Sequence, residues 1–203
     1  MAMKRLDYLV AALNATNNAT SYPFTEPITG LPIPGGGLLA GDYIDITLGE
    51  ATSFSTAMGS SQALYEGRYK YIQVDASATA GNVKAGTVAA RLSTVSAHVV
   101  TDYAHAMTGG QNIDGVFLNS IAPGNWGWIQ CRGRASVLGS ASFTAVPAIG
   151  DVVTVTTNGV VTDLTQSGAV LLSNQFLQVG IAMTLPAVNV LFQVKLVIPF
   201  SAY

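Results

Sequence analysis

Val152-Val153-Thr154-Val155-Thr156-Thr157-Asn158-Gly159-Val160-Val161 decides the fold class of this 203-residue chain. β-Branched side chains on both sides of Asn158-Gly159 favour extended backbone. Asn-Gly supplies the two positive φ angles that a type I′ hairpin turn needs. The stretch therefore predicts an antiparallel hairpin. Toward the C-terminus, Val179 to Leu185 reads as another short strand. Beyond it, Val188, Val190, Phe192, Val194, Leu196 and Ile198 fall on one face. Asn189, Leu191, Gln193, Lys195 and Val197 fall on the other, an alternation of period 2 over eleven residues.

Toward the N-terminus, strand signals recur at Trp126 to Cys131, Gly115 to Leu118, Gly86 to Thr101, Arg68 to Val74 and Tyr43 to Leu48. Pro123-Gly124-Asn125 marks a tight turn between two of them. Glu50 to Glu66 lacks clean periodicity and reads as loop carrying one helical turn. Strands do not alternate with helices, so a parallel α/β fold is not expected. The expectation for residues 42–203 is a mainly β domain, a compact antiparallel sandwich or barrel.

Residues 1–41 have another character. Leu6, Leu9, Val10 and Leu13 are spaced as one face of a short amphipathic helix. A helix of eight to ten residues is marginal alone, so this one must dock on its own body or on a partner. From Tyr22 to Gly41, Pro23, Pro27, Pro32 and Pro34 alternate with Phe24, Ile28, Leu31 and Ile33, and Gly35-Gly36-Gly37 follows. Proline fixes φ and pushes the preceding residue into extended geometry. The segment is expected to be an extended arm. Its apolar side chains suit a groove better than a solvated linker does. The four helix residues and the four arm residues are the candidate partner contacts. The competing expectation is an arm packed on its own domain.

Only 10% of the chain is charged and the net charge is −2, against roughly 25% charged in ordinary domains. Half the residues are hydrophobic, which argues against disorder. Nine scattered cations make no basic stripe, so no nucleic-acid partner is expected. The single Cys131 excludes a disulfide framework. The longest nearly apolar run, Val188 to Phe200, is interrupted by Asn189, Gln193 and Lys195 and is shorter than the roughly 20 residues of a membrane span. Lys4-Arg5 ahead of Leu6 to Leu13 resembles a signal peptide, but Asp7 and Tyr8 sit where its apolar region should begin. Without secretion, the glycosylation patterns at Asn14 and Asn18 carry no meaning.

Tests for chemistry return weak signals. Cys131 lies in a strand-like run and reads as a small core residue rather than as a nucleophile paired with His98 or His105. His98, Asp102 and His105 would share a helix face, as zinc ligands can. Val99-Val100-Thr101 argues for strand instead, which places His105 opposite the other two. Gly35-Gly36-Gly37-Leu38-Leu39-Ala40 formally fits a dinucleotide fingerprint, but prolines precede it and a strand follows it. Asp42, Asp45 and Glu50 are carboxylates close in sequence, as glycosidases need in space. Trp126, Trp128, Tyr103 and Phe117 could stack on sugar rings, although aromatics in a small β domain more often form core. Trp126 and Trp128 share one side of a strand and are the candidate exposed aromatic patch. The expectation is a non-enzyme with no catalytic residue, no metal and no cofactor, working while packed against other protein.

Three stretches add a resemblance. The first is Lys84-Ala85-Gly86-Thr87-Val88-Ala89-Ala90-Arg91-Leu92. The second runs Gly115-Val116-Phe117-Leu118, then Pro123-Gly124-Asn125-Trp126-Gly127-Trp128-Ile129-Gln130. The third is Gly133-Arg134-Ala135-Ser136-Val137, then Ala148-Ile149-Gly150-Asp151-Val152-Val153. Together they resemble capsid decoration (cement) proteins and related head proteins of tailed bacteriophages. The resemblance runs from Lys84 to Val161, under half the chain, and its motifs are structural rather than chemical. It implies a mainly β, non-enzymatic virion protein, often a homotrimer, on the outer capsid surface. Such proteins clamp neighbouring major capsid protein subunits after the shell expands. The alternative is a head-fibre base, or a tail protein that binds host-surface glycans.

Overall fold

The computed structural model describes residues 18–20, 41, 43–51, 65–91, 98–102, 113–141, 143, 146–156, 158–163 and 178–198. The expected N-terminal helix and the apolar residues of the arm lie outside them. The fold is mainly β. The strands are β1 (Tyr43–Ile46), β2 (Gly67–Val74), β3 (Val88–Arg91), β4 (Val99–Asp102), β5 (Ile113–Phe117), β6 (Trp126–Leu138), β7 (Val152–Val155), β8 (Val161–Asp163), β9 (Gln178–Ala182) and β10 (Leu191–Leu196).

Five strands close into a barrel in the order β2-β4-β3-β5-β6, with β6 returning to β2. Four of its five pairings are antiparallel. The fifth, β2 with β4, is parallel, through Gln73 opposite Val99 and Val74 opposite Val100. The expected mainly β, largely antiparallel barrel forms, with this one parallel pairing inside it. A parallel pair needs a crossover connection, and β3 lies inside the chain segment that makes it. Strand β1 adds to the same edge of β2, farther toward its start, with Tyr43 opposite Lys70 and Ile46 opposite Gly67.

Strand β6 belongs to two units. Its first half lines the barrel, and its second half pairs with β10 and begins a second sheet in the order β6-β10-β9-β7-β8. The change of partner falls at Gly133, whose φ is +93°. A Cβ there would stand 2.4 Å from the Glu66 carbonyl oxygen. Only glycine tolerates both the positive φ and that approach. A bridge from Gly139 to Val161 brings the chain after β6 back to β8, the far edge of the second sheet.

Alternation on the shared strands feeds two cores. Ile72, Val74, Ala89, Val100, Phe117, Ile129 and Cys131 pack together as the barrel core. Val88, Ala90 and Val116 join Val137, Val153, Val161, Val179, Phe192 and Val194 in a second cluster. On β3, Val88 and Ala90 therefore serve one core while Ala89 serves the other. Both faces of this strand are buried, which explains its unbroken small apolar run.

The hairpin expected around Asn158-Gly159 forms, with Val155 opposite Val161. Its turn differs from type I′. Gly159 has φ +74°, while Asn158 is not among the positive-φ residues. The Gly159 N–H donates to Thr156 O and the Thr156 N–H to Val160 O, so the loop has three residues with one left-handed glycine, the bulged alternative to a two-residue turn. The C-terminal alternation holds from Phe192 through Ile198. Val188 and Val190 depart from it. They precede the strand, flank Asn189 at φ +55°, and are exposed. A helical turn follows β1, opened by Thr47. The Thr47 N–H donates to Glu50 Oε2 at 2.8 Å and the Glu50 N–H to Thr47 Oγ1 at 3.5 Å, a capping box.

Candidate partner-binding surfaces

Leu6, Leu9, Val10, Leu13, Phe24, Ile28, Leu31 and Ile33 all lie outside the described residues. Two short pieces beside them are placed. Ala19 bridges Trp126, with N–H to carbonyl distances of 3.0 and 2.8 Å in the two directions. Asn18 stands at φ +63° and its Oδ1 accepts from the Ala122 N–H at 2.8 Å and from Asn125 Nδ2 at 2.9 Å. The receiving turn is the one expected from sequence. Asn125 N–H donates to Ala122 O, Pro123 takes the second position and Gly124, at φ +84°, the third. At the other end of the arm, the Gly41 N–H donates to Tyr71 O at 2.8 Å. Chain on both sides of the arm is thus fixed to the β2/β6 wall. With its carboxamide held by two donors, Asn18 is poorly disposed for glycosylation.

That wall carries an aromatic stack. Trp126 stacks with Tyr71 (ring centroids 6.0 Å, planes 13° apart) and with His98 (5.7 Å, 12°). Trp128 meets the edge of Tyr71 at 5.0 Å. The two tryptophans do share a side, as expected, but the exposed patch is corrected: Trp128 is 0% exposed and Trp126 only partly exposed. Phe117 lies inside the barrel, so neither it nor Trp128 offers an open face to a sugar ring; Tyr103 lies outside the described residues. Sequence alternation assigned the common side of the two tryptophans but not their burial.

The chemistry-bearing residues among those described are engaged in structure; His105 and Asp42 lie outside them. Cys131 is in the barrel core, and burial pushes its thiol well above the usual range. A protonated thiol is a poor nucleophile. His98 stacks outside on Trp126, where partial burial, aided by the Lys70 charge, lowers its pKa. Asp102 is buried and accepts from the Thr79 N–H and from Asn82 Nδ2, both at 2.9 Å. Among the described residues no cluster of three or more His, Cys, Asp or Glu could hold a metal. Asp45 grips Arg68 with both oxygens, at 2.8 and 3.0 Å, and Glu50 caps the Thr47 turn.

One group was not foreseen. Lys70 occupies the face of β2 that also carries Ile72 and Val74, and it is 1% exposed. Its Nζ reaches Asp114 Oδ2 at 2.6 Å, and Arg91 reaches Asp114 Oδ1 at 2.8 Å. One carboxylate therefore serves two cations at the edge of the barrel core. Burying these charges costs several kcal/mol each unless pairing is complete. The arrangement holds β2, β3 and β5 in mutual position and leaves Asp114 no role as a free acid or base.

The stretches that carry the family resemblance meet at one seam. Gly86 N–H donates to Phe117 O, Phe117 N–H to Thr87 O, Leu138 N–H to Gly86 O and Val88 N–H to Gly159 O. The buried Thr87 hydroxyl lies 2.7 and 2.8 Å from the Asn82 and Lys84 carbonyls. These bonds join the barrel to the second sheet.

The described surface does offer one coherent feature that sequence reading missed. At the end of the second sheet, Ile149, Met183, Leu185, Val188, Val190 and Leu191 are 37–67% exposed. Gly150 N–H to Ala182 O, Met183 N–H to Gln193 O and Gly139 N–H to Val190 O tie the contributing loops side by side. The sequence holds no Asp, Glu, Lys or Arg from Leu138 to Gly150 or from Ala182 to Val194. Asp151, which borders this crown, turns its carboxylate onto the Ala148 N–H at 2.7 Å.

No family model matches the chain, and no curated protein sequence does. Among solved structures, the N-terminal base of head fibre gp8.5 of bacteriophage phi29 is similar at 12% identity and a TM-score of 0.43, over 63% of this chain and 92% of that one.

Proposed function

We propose that this chain is a non-enzymatic structural protein of a tailed-phage head. In the specific form of the reading it is a decoration protein that binds the outer surface of the major capsid protein lattice and stabilises the expanded shell. The observation that carries the reading is a division of labour. The described groups able to do chemistry are held in structural bonds, while the exposed surface offers an uncharged apolar crown suited to protein contact. The resemblance of Lys84 to Val161 to phage head proteins points the same way. Binding only the assembled lattice would stabilise it by mass action, and several linked copies would raise the effective concentration at each site.

The N-terminal helix and the arm are the proposed lattice contacts. Fixed at Asn18, Ala19 and Gly41, the chain between these points would be presented from a rigid wall. The test is co-sedimentation of purified protein with expanded capsids that lack it. Saturable binding at a fixed, lattice-wide ratio to the major capsid protein is expected. A ratio of only a few copies per head would point to a fibre base, and no binding would overturn the head reading. Removing residues 1–17 spares the Asn18 anchor and should weaken capsid binding without unfolding the body. Unchanged affinity would exclude the N-terminal segment as a contact.

A further inference from the structure

We propose that the apolar crown on the second sheet is where copies of this chain associate with one another. This deepens the partner side of the head-protein reading, and its test is run without capsids so that either can fail alone. Six large apolar residues, each about half exposed, present on the order of 500 Å², near the top of the range for the largest apolar patch on a monomer. That is more than half of the roughly 800 Å² that each partner contributes to a standard interface. The crown supplies the apolar centre, and neighbouring polar loop surface would supply the rim.

The chemistry favours a second copy over a foreign partner. Interfaces that form and dissolve are no more apolar than ordinary surface, whereas permanent contacts between like subunits are distinctly more so. A patch without charge along two whole loops has nothing with which to select a charged partner. It is complementary to itself. The patch also lies on the second sheet, whereas Asn18, Ala19 and Gly41 fasten the N-terminal chain to the barrel. One face can then hold copies together while another meets the lattice.

The full chain should be run by size-exclusion chromatography with light scattering across a hundredfold concentration range. A discrete oligomer is expected. Leu185→Glu combined with Val188→Lys should convert it to monomer with an unchanged circular dichroism spectrum and melting midpoint. Leu48→Glu, at an exposed leucine outside the crown, should leave the oligomer intact. A wild-type chain that is monomeric throughout, or an oligomer that survives the double substitution, would overturn the proposal. If both substitutions destabilise the fold, charge-free Leu185→Ser with Val188→Ser supplies the same comparison, and persistence of the oligomer there is equally contrary.

Discussion

The barrel and the second sheet share β6, yet they are held together differently. The barrel core ends in a charged group, Lys70 and Arg91 on Asp114, and its outer wall carries stacked aromatic rings. The second sheet has an almost wholly aliphatic core, Val153, Val161, Val179, Phe192 and Val194 among others, and apolar side chains continue onto its exposed end. Charge pairing depends on direction and distance, so it fixes strand positions. Aliphatic packing is less directional and tolerates substitution at constant volume. The barrel is thus suited to being the fixed frame, and the second sheet to offering a contact face.

The strongest way to break this contrast is Asp114→Asn. It leaves two cations without their carboxylate, one of them fully buried, and should cost about 3–5 kcal/mol. Urea unfolding measures it, and a loss below 1 kcal/mol would mean that the charges are not held as described. Leu196→Ala in the second sheet should cost about 2–5 kcal/mol through lost burial and a cavity. The same urea measurement reads it. A loss below 1 kcal/mol would mean that the aliphatic core is not packed as described.

Smaller effects sharpen the same comparison. Asn18→Ala removes an acceptor for two donors and should cost on the order of 1 kcal/mol. Limited proteolysis should then cut the N-terminal chain faster while the second sheet stays resistant. Similar cutting rates in both proteins would show that the Asn18 contact does not hold that chain. The smallest effect is at His98. Its pKa is lowered in the folded state, so the unfolded chain binds the proton more readily. Stability from this source is complete above the unfolded value near 6.5 and declines as pH falls through it. His98→Gln should flatten the fall in melting midpoint between pH 7.5 and 5.5. An unchanged slope would assign it to other groups.

Much of the fold was legible because period-2 patterns act locally. The Val152–Val161 hairpin, the run from Phe192 to Ile198 and the Pro123-Gly124 turn depend on residues a few positions apart. What was not legible depends on distant partners. Barrel closure rests on β2 meeting β4 in parallel and β6 in antiparallel register. The Lys70–Asp114–Arg91 group joins three strands whose charged residues look like ordinary surface positions in sequence. Trp128 shows the same limit, since alternation assigns a side but not what covers it. Val188 and Val190 failed in the opposite sense. They continue an apolar alternation past the strand into an exposed loop, and that failure marks the crown.

The most direct test of the head-protein account is a cryo-electron microscopy reconstruction of expanded capsids saturated with this protein. The account predicts density for the two-part β body on the outer surface, repeated across the lattice, with contacts made by the barrel side and its N-terminal chain. Absence of the body from the capsid surface, or attachment through the apolar crown with the barrel side facing away, would contradict it.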